Sequence, residues 1–131
     1  MQITVDPDAR LPVYRQIVSQ LRRAIAVGEI SPGDSLPPVR QLAEDVGVNF
    51  NTVAKAYRTL AAEGLVATHQ GRGVRVIVRE KPQINEGEVS VALERFLSEM
   101  MLAGMSDAQI IGLVRQALET MKRPALKDDG A

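Results

Sequence analysis

The chain has 131 residues, as many acidic as basic side chains, and no cysteine. Disulfides, thiolate metal sites and cysteine nucleophiles are therefore excluded, and the length predicts one domain or a small domain with an appendage. An apolar content of 45% is enough for a globular core, whereas 3% aromatic residues and no Trp argue against a stacking platform for single-stranded nucleic acid. Because there is no signal segment or membrane-length apolar run, we expect a soluble cytoplasmic protein with no membrane partner.

The charge is unevenly distributed along the chain. Residues 10–81 contain eleven Lys and Arg against six Asp and Glu, a net charge of +5. Residues 1–9 carry a net charge of −2, and residues 82–131, with five basic and eight acidic residues, carry −3. A basic body with an acidic tail favours a nucleic-acid partner for the body, but only weakly, because solvated faces of ordinary proteins often differ by this much.

The first helical pattern follows Pro12 and ends at Gly28. The next segment, SPGDSLPP, predicts a turn and a short extended piece, because residues before proline avoid the helical region. The apolar residues at helical spacing in the first pattern are Val13, Ile17, Val18, Leu21 and Ile25.

Residues 39–58, VRQLAEDVGVNFNTVAKAYR, are typical of a short helix, a glycine turn and a second helix. Ala43 is small where the two helices cross closely, Gly47 supplies the positive φ of the turn, and Val53 fixes the second helix in the core. Such a unit places its second helix in the major groove of DNA.

The first of these two helices is predicted from Pro38, a favourable first helical residue, to about residue 46. The second is predicted from the N-cap Asn49 to about residue 63, and Gly64 ends it. We therefore expect three helices before any strand.

Two β signals come next, LVATHQ and GVRVIVRE, separated by Gly71, Arg72 and Gly73. They predict a short hairpin with a glycine-rich tip. Three helices followed by a hairpin predict a winged helix-turn-helix domain over residues 1–80, so the fold class is mainly α with a small β-hairpin.

Residues 81–87, with Pro82 and Gly87, predict a linker, and residues 124–131 predict a disordered tail. Residues 88–123 contain two more amphipathic helical patterns. The sequence thus predicts a two-helix appendage after the winged domain.

The two helices of the appendage are separated by Gly104, and Ser106 with Gln109 forms a capping box. Joined so closely, they are predicted to form an antiparallel hairpin, which must pack on the winged domain or on another copy because it cannot bury both apolar faces alone. The residues predicted at a dimer interface are Leu93, Phe96, Leu97, Met100, Ile110, Val114, Leu118 and Met121.

The runs LPVYRQIVSQLRRAI, GEISPGDSLPPVRQLAEDVGVNFNTVAKAYRTLAAEGLV and GRGVRV, in this order, resemble the DNA-binding domain of GntR-type bacterial transcription regulators. The tail, LERFLSEMMLAGMSDAQIIGLVRQALE, is similar to the short two-helix appendage of the YtrA subfamily. Together the resemblance covers about residues 3–121. It implies a homodimeric repressor whose tail helices pair two subunits on a (pseudo)palindromic operator, often near genes for membrane transporters.

Arg40 matches an arginine in the second helix of GntR-type regulators. In that family, the arginine reaches a base or a phosphate at the edge of the major groove. Its fork of N–H donors suits guanine or a phosphate oxygen. The alternative is an exposed surface arginine, and the resemblance favours the DNA contact.

The third helix begins with Asn49, Phe50, Asn51 and Thr52, and recognition helices point their first turn at base edges. Asn51 can bind adenine, and Thr52 a phosphate or a thymine methyl, although both residue types are also common near helix starts. Many family members have Ser-Arg in place of Asn49-Phe50. Since Phe50 cannot read a guanine as that arginine does, the family's operator sequence cannot be transferred, and Phe50 either contacts a thymine methyl or packs at the subunit surface.

Lys55 and Arg58 lie on the predicted exposed side and suit phosphates, with a solvated face as the alternative. The wing tip contains Gln70, Gly71 and Arg72. Glycine allows close approach of the backbone, and Arg72 can enter a narrow, electronegative minor groove. The same residues also make a good hairpin turn, and both interpretations can hold together.

Other side chains have simpler interpretations. Tyr14 and Tyr57 are predicted to be core or helix-packing residues with hydroxyls in water. His69 has no Cys or His cluster around it, so we expect a half-exposed strand residue and no metal site. The methionines of the tail are predicted to form interface core rather than a malleable ligand groove.

The leading hypothesis is a dimeric repressor that binds double-stranded DNA and itself, without a cofactor. A small-molecule effector, if there is one, would have to use the dimer cleft. The alternative is a winged-helix adaptor that binds proteins and never DNA. An enzyme is disfavoured because the chain has no usable Ser/His/Asp set, Walker loop or carboxylate pair.

Overall fold

The structure, a computed structural model, describes residues 2–69, 71, 73–77 and 84–123. It confirms the predicted fold class, mainly helical with a two-stranded antiparallel hairpin. The chain divides into two compact units, which we name the winged unit (described residues 2–77) and the two-helix unit (residues 84–123). In chain order the elements are α1 (Val13–Ala26), α2 (Val39–Val46), α3 (Phe50–Ala62), β1 (Val66–His69), β2 (Gly73–Val76), α4 (Glu86–Leu102) and α5 (Asp107–Lys122).

The core of the winged unit lies where α1 and α2 pack against α3. Ile17 and Leu21 of α1, and Val53 and Leu60 of α3, are completely buried. Val13 and Ile25 pack against this core while partly exposed. The helical spacing of α1 therefore gives the buried face that the sequence predicts.

The turn between α2 and α3 has the predicted left-handed glycine. Gly47 adopts φ 79° and ψ 37°, a region that side chains with a Cβ rarely occupy. The N–H groups of Gly47 and Val48 both donate to the carbonyl of Ala43, at 2.9 and 3.0 Å. Ala43 itself is buried, as expected for a small residue at a close helix crossing.

The first two helices each start one residue after a proline. Pro12 and Pro38 have extended backbones, with ψ 147° and 149°, and each lies one residue before its helix. The interpretation of Pro38 as the first helical residue was wrong by one position. Asn49 does cap α3, because its side chain accepts a hydrogen bond from the N–H of Asn51 at 2.7 Å.

The wing is more than the predicted hairpin. β1 and β2 pair in antiparallel register, with Val66 opposite Val76. The extended piece before α2 pairs with the outer side of β2, since Leu36 N–H donates to the Val74 carbonyl at 2.8 Å and Val76 N–H to the Asp34 carbonyl at 2.9 Å. The extended conformation was predicted, but this pairing was not.

The N-terminal arm, residues 2–11, is held along α1 by two glutamine side chains. Gln20 accepts a hydrogen bond from the Thr4 N–H at 3.1 Å and donates one to its carbonyl at 2.6 Å. Gln16 binds the N–H and the carbonyl of Asp6 in the same way, at 2.8 Å each. Ile3 and Val5 pack against the core as a result.

The first helix of the two-helix unit, α4, begins two residues before the predicted boundary at residue 88. The side chain of Asn85 accepts a hydrogen bond from the Glu88 N–H and starts α4 at Glu86. α5 has the capping box predicted at Ser106 and Gln109. Of the predicted linker and tail, residues 81–83 and 124–131 lie outside the described residues.

Candidate nucleic-acid interface

α3 has one buried and one exposed face. Because side chains recur every 3.6 residues, the exposed side chains point away from the core. The buried residues are Val53, Ala56, Tyr57 and Leu60. The exposed residues with polar or charged side chains on the opposite face are Asn51, Lys55 and Arg58.

The first turn of α3 lies beside α2. The guanidinium carbon of Arg40 lies 5.7 Å from the centroid of the Phe50 ring, in the geometry of a cation–π contact. Phe50 is 47% exposed. An open groove of about 560 Å³ lies against these two side chains, and Glu44 lines it too. The structure thus brings together two of the predicted DNA-binding residues, Arg40 and Phe50.

Asn51 and Thr52 follow at the start of α3. Asn51 is exposed and Thr52 is half-buried. The Asn51 N–H is used by the Asn49 cap, but none of the described residues hydrogen-bonds the Asn51 side-chain amide. That amide can therefore bind a base edge without giving up an internal partner.

Lys55 has a partner that the sequence did not predict. Its ammonium lies 4.1 Å from the centroid of the Tyr14 ring on α1, and the Arg15 guanidinium carbon lies 5.6 Å from the same ring. Two cations thus lie beside one half-buried aromatic ring. Tyr14 and Lys55 are 41 positions apart, so no local pattern could have revealed their contact.

The Tyr57 side chain links α3 to the segment before α2. Its hydroxyl donates a hydrogen bond of 2.6 Å to the carbonyl of Pro37, and the residue is buried. The prediction of a hydroxyl in water was wrong for Tyr57, because the Pro37 carbonyl takes the place of water. Burial also raises the pKa of this hydroxyl above the ordinary tyrosine value.

The wing residues are only partly described. Gly71 is exposed with φ 79°, and Gly73 has φ 74° and lies opposite His69. These positive φ values agree with a glycine-dependent tip. His69 is exposed rather than half-exposed. Gln70 and Arg72, both predicted to contact DNA, lie outside the described residues.

The residues predicted at a dimer interface show little burial within one chain. Among the described residues of the two-helix unit, Ile110 alone is buried. Phe96, Leu97 and Met100 are partly buried. The exposed members of the predicted set are Leu93, Val114, Leu118 and Met121.

The described part of the chain has neither a cluster of metal-ligating side chains nor a helix suited to span a membrane. No group of three or more His, Cys, Asp or Glu residues there is placed to hold a metal ion. None of its helices is both long enough and apolar enough to cross a membrane.

Known proteins resemble this chain in sequence and in fold. Residues 13–76 match the family described as bacterial regulatory proteins, gntR family. The HTH-type transcriptional repressor YtrA of Bacillus subtilis (strain 168) is 39% identical over 93 residues, which cover 71% of this chain and 72% of that protein.

Two solved structures have the same fold. YtrA from Sulfolobus acidocaldarius, a GntR-family transcription factor, is 36% identical with a TM-score of 0.61, and the match covers 73% of this chain and 97% of that one. AraR(DBD) in complex with operator ORX1 is 30% identical with a TM-score of 0.52, over 56% of this chain and 93% of that one. The chain therefore belongs to the GntR family of bacterial regulatory proteins, in its YtrA subfamily, and is a transcription regulator rather than an enzyme.

Proposed function

We propose that this regulator is a homodimeric repressor that binds a palindromic operator. α3 of each subunit enters the major groove, and the wing tip enters the adjacent minor groove. The two-helix units join the subunits. Repression is the activity named for the Bacillus subtilis relative, and operator binding is the state of the AraR(DBD) structure.

The observation that carries the proposal is the first turn of α3. Phe50 and Asn51 are exposed there, and Arg40 lies beside Phe50 across the α2–α3 turn. The opposite face of α3 is fixed in the core by Val53 and Leu60. A helix anchored on one side, with amide, aromatic and guanidinium groups at its start, has the form required to contact base edges.

Phosphate contacts would come from the cations around this turn. Lys55 and Arg58 are exposed on α3, and the Tyr14 ring holds the Lys55 ammonium in place. In the proposal, Arg72 at the wing tip adds a contact on the minor-groove side. Such contacts provide affinity and orientation, while the first turn of α3 provides specificity.

Pairing of subunits would use the apolar surface of the two-helix unit. Leu93, Val114 and Leu118 are exposed in the single chain, and exposed apolar patches of this kind mark interaction sites. A symmetric dimer would present two copies of α3 to half-sites about 34–36 Å apart, or a multiple of that. An effector, where one exists, would act by changing the relative placement of the two winged units.

The test is selection of binding sites from a random duplex library by the purified protein, followed by titration of the selected duplex at several salt concentrations. We expect an enriched palindrome whose affinity falls steeply with salt, because each neutralised phosphate contributes about −0.9 to the slope of log K against log salt. Footprinting should then protect two half-sites on one face of the DNA.

Arg72→Ala should weaken binding to most duplexes and reduce the salt slope by about 1 for each lost phosphate contact. Arg115→Ala, which removes the same charge from an exposed position on α5, is the matched control and should leave both quantities unchanged. Unchanged affinity in Arg72→Ala would overturn the wing assignment. Binding that is absent, or insensitive to salt, would instead favour the protein-binding adaptor.

A further inference from the structure

The contact between Arg40 and Phe50 joins two elements at the start of the recognition helix. Arg40 is the second residue of α2, and Phe50 is the first of α3. The left-handed turn at Gly47 lies between them. The guanidinium carbon then lies 5.7 Å from the ring centroid, within the distance at which a ring face attracts a cation.

The carboxylate of Glu44 lies on the same helix as Arg40, but the ion pairs of the described residues do not include one between them. Glu44 lies four positions later, the spacing of an intrahelical pair. The described ion pairs are instead Arg22–Glu63, Arg23–Glu29 and Arg95–Glu99. The guanidinium of Arg40 instead lies over the Phe50 ring. This contact uses the flat face of the guanidinium and leaves its N–H edge available.

The available N–H edge and the exposed ring edge suit two different groups on DNA. A guanidinium donates two hydrogen bonds to O6 and N7 of guanine, and an apolar ring contacts the C5 methyl of thymine. Because the guanidinium carbon lies only 5.7 Å from the ring centroid, the groups that the two side chains bind must be neighbours in the groove. The cation–π contact also restricts the rotamers of Arg40 before binding, so less conformational entropy is lost when Arg40 contacts a base.

We propose that Arg40 and Phe50 act as one unit that recognises a guanine and an adjacent thymine, with Phe50 both the thymine-specific residue and the residue that positions Arg40. This inference rests on the proposed function and deepens it. It commits Phe50 to DNA rather than to a subunit surface. It also gives a physical reason why the aromatic ring stands at the first position of α3 in this chain.

The experiment uses modified bases in the duplex selected by the wild-type protein. Deoxyuridine in place of one thymine removes only the C5 methyl, and 7-deazaguanine in place of one guanine removes only the N7 acceptor. For the wild-type protein we expect one thymine per half-site whose replacement weakens binding about fourfold, the value of one buried methyl group. At a neighbouring guanine the 7-deaza base should weaken binding roughly fivefold or more.

Two variants of Phe50 separate its two roles. Phe50→Ala should bind thymine and deoxyuridine equally well at that position, and should also lose most of the discrimination against 7-deazaguanine. Phe50→Leu keeps an apolar side chain but has no π face, so it should retain part of the thymine preference while losing guanine discrimination. Arg40→Gln should lose guanine discrimination and keep the thymine preference.

The variants are expected to fold, because Phe50 and Arg40 are both exposed, and unchanged thermal unfolding midpoints would show this. The ratio of affinities for normal and modified bases is the decisive quantity, since a general loss of stability would not change it. If the wild-type protein selects an operator but Phe50→Ala keeps the full thymine and guanine preferences, the inference is overturned and the proposed function stands. If no operator is selected, both fail.

Discussion

The winged unit and the two-helix unit bury their apolar residues to very different extents. In the winged unit fifteen apolar residues form one buried cluster, drawn from all three helices and the wing. Among the described residues of the two-helix unit only Ile110 is buried, and side chains such as Leu118, at 50% exposure, face solvent. The first unit has its own core, whereas the second presents apolar surface.

This contrast agrees with the two functions proposed for the chain, DNA binding by the winged unit and dimerisation by the two-helix unit. A self-contained core can hold the first turn of α3 rigidly without help from another chain. Helices with so little burial gain stability chiefly by packing against something else, which is what a dimerisation element requires. The two units should therefore respond differently to mutation, the first through unfolding and the second through association.

The largest expected effect is in the core of the winged unit. Leu60→Ala removes a completely buried side chain, and such truncations cost about 2–5 kcal/mol in the free energy of unfolding. Urea unfolding followed by circular dichroism measures this cost. We expect the destabilisation to be the same at low and high protein concentration, and a strong concentration dependence would contradict a self-contained core.

The next largest effect should appear in the two-helix unit as a change of association. Leu118→Asp places a charge in the predicted interface, which costs about 1–3 kcal/mol for an unpaired polar group and more for a charge. Sedimentation analysis should show a monomer with reduced operator affinity. Gln116→Asp adds the same charge to α5 and should remain dimeric, since residue 116 lies off the predicted apolar face. A dimer that survives Leu118→Asp would place the interface elsewhere.

A smaller effect is expected at Tyr57. Tyr57→Phe removes the hydrogen bond to the Pro37 carbonyl and should cost about 1 kcal/mol of stability.

The same substitution has a pH signature. Because burial raises the pKa of Tyr57 in the folded state, the unfolded chain loses this proton first as the pH rises. The stability contributed by the neutral hydroxyl is complete below pH ~10 and declines above it. Wild-type protein should therefore lose more stability than Tyr57→Phe between pH 9 and pH 11, roughly the range around the ordinary tyrosine pKa. Parallel losses would contradict this assignment.

The smallest effect is expected at the surface of the winged unit. Arg22 and Glu63 form an ion pair of 2.6 Å between α1 and the end of α3, with side chains 48% and 37% exposed. Exposed pairs of this kind contribute about 0.2–1 kcal/mol, and salt screens them. Arg22→Ala should therefore cost little in unfolding experiments, and less still in high salt. A cost as large as that of Leu60→Ala would show that the core does not dominate stability.

Much of the fold could be predicted from local patterns. Helical spacing located the five helices of the described residues, Gly47 located the turn, and Ser106 with Gln109 marked the start of α5. These signals involve residues within a turn or two of each other. The start of α2 was misplaced by one residue, because proline is compatible with both the cap and the first helical position, and the start of α4 was misplaced by two.

The features that escaped prediction depend on contacts between distant residues. Pairing of Ser35 with Arg75 spans 40 positions, and the contact of Lys55 with Tyr14 spans 41. Within the candidate interface, the exposure of Lys55 and Arg58 on α3 was predicted. That the Arg40 guanidinium lies over the Phe50 ring did not, because it depends on the angle between α2 and α3.

The hydrogen bonds from Gln16 and Gln20 to the N-terminal arm have a practical consequence for where the folded unit begins. The region matched by the family starts at Val13. Ahead of it, however, Ile3 and Val5 pack on the core, and Gln20 and Gln16 hydrogen-bond the backbone of Thr4 and Asp6. A protein that begins at Val13 would lack the arm. The side-chain amides of Gln16 and Gln20 would then lose these partners, and the apolar surface that Ile3 and Val5 cover would be exposed. Boundaries for isolating this unit, or for fusing a reporter to it, belong ahead of the arm.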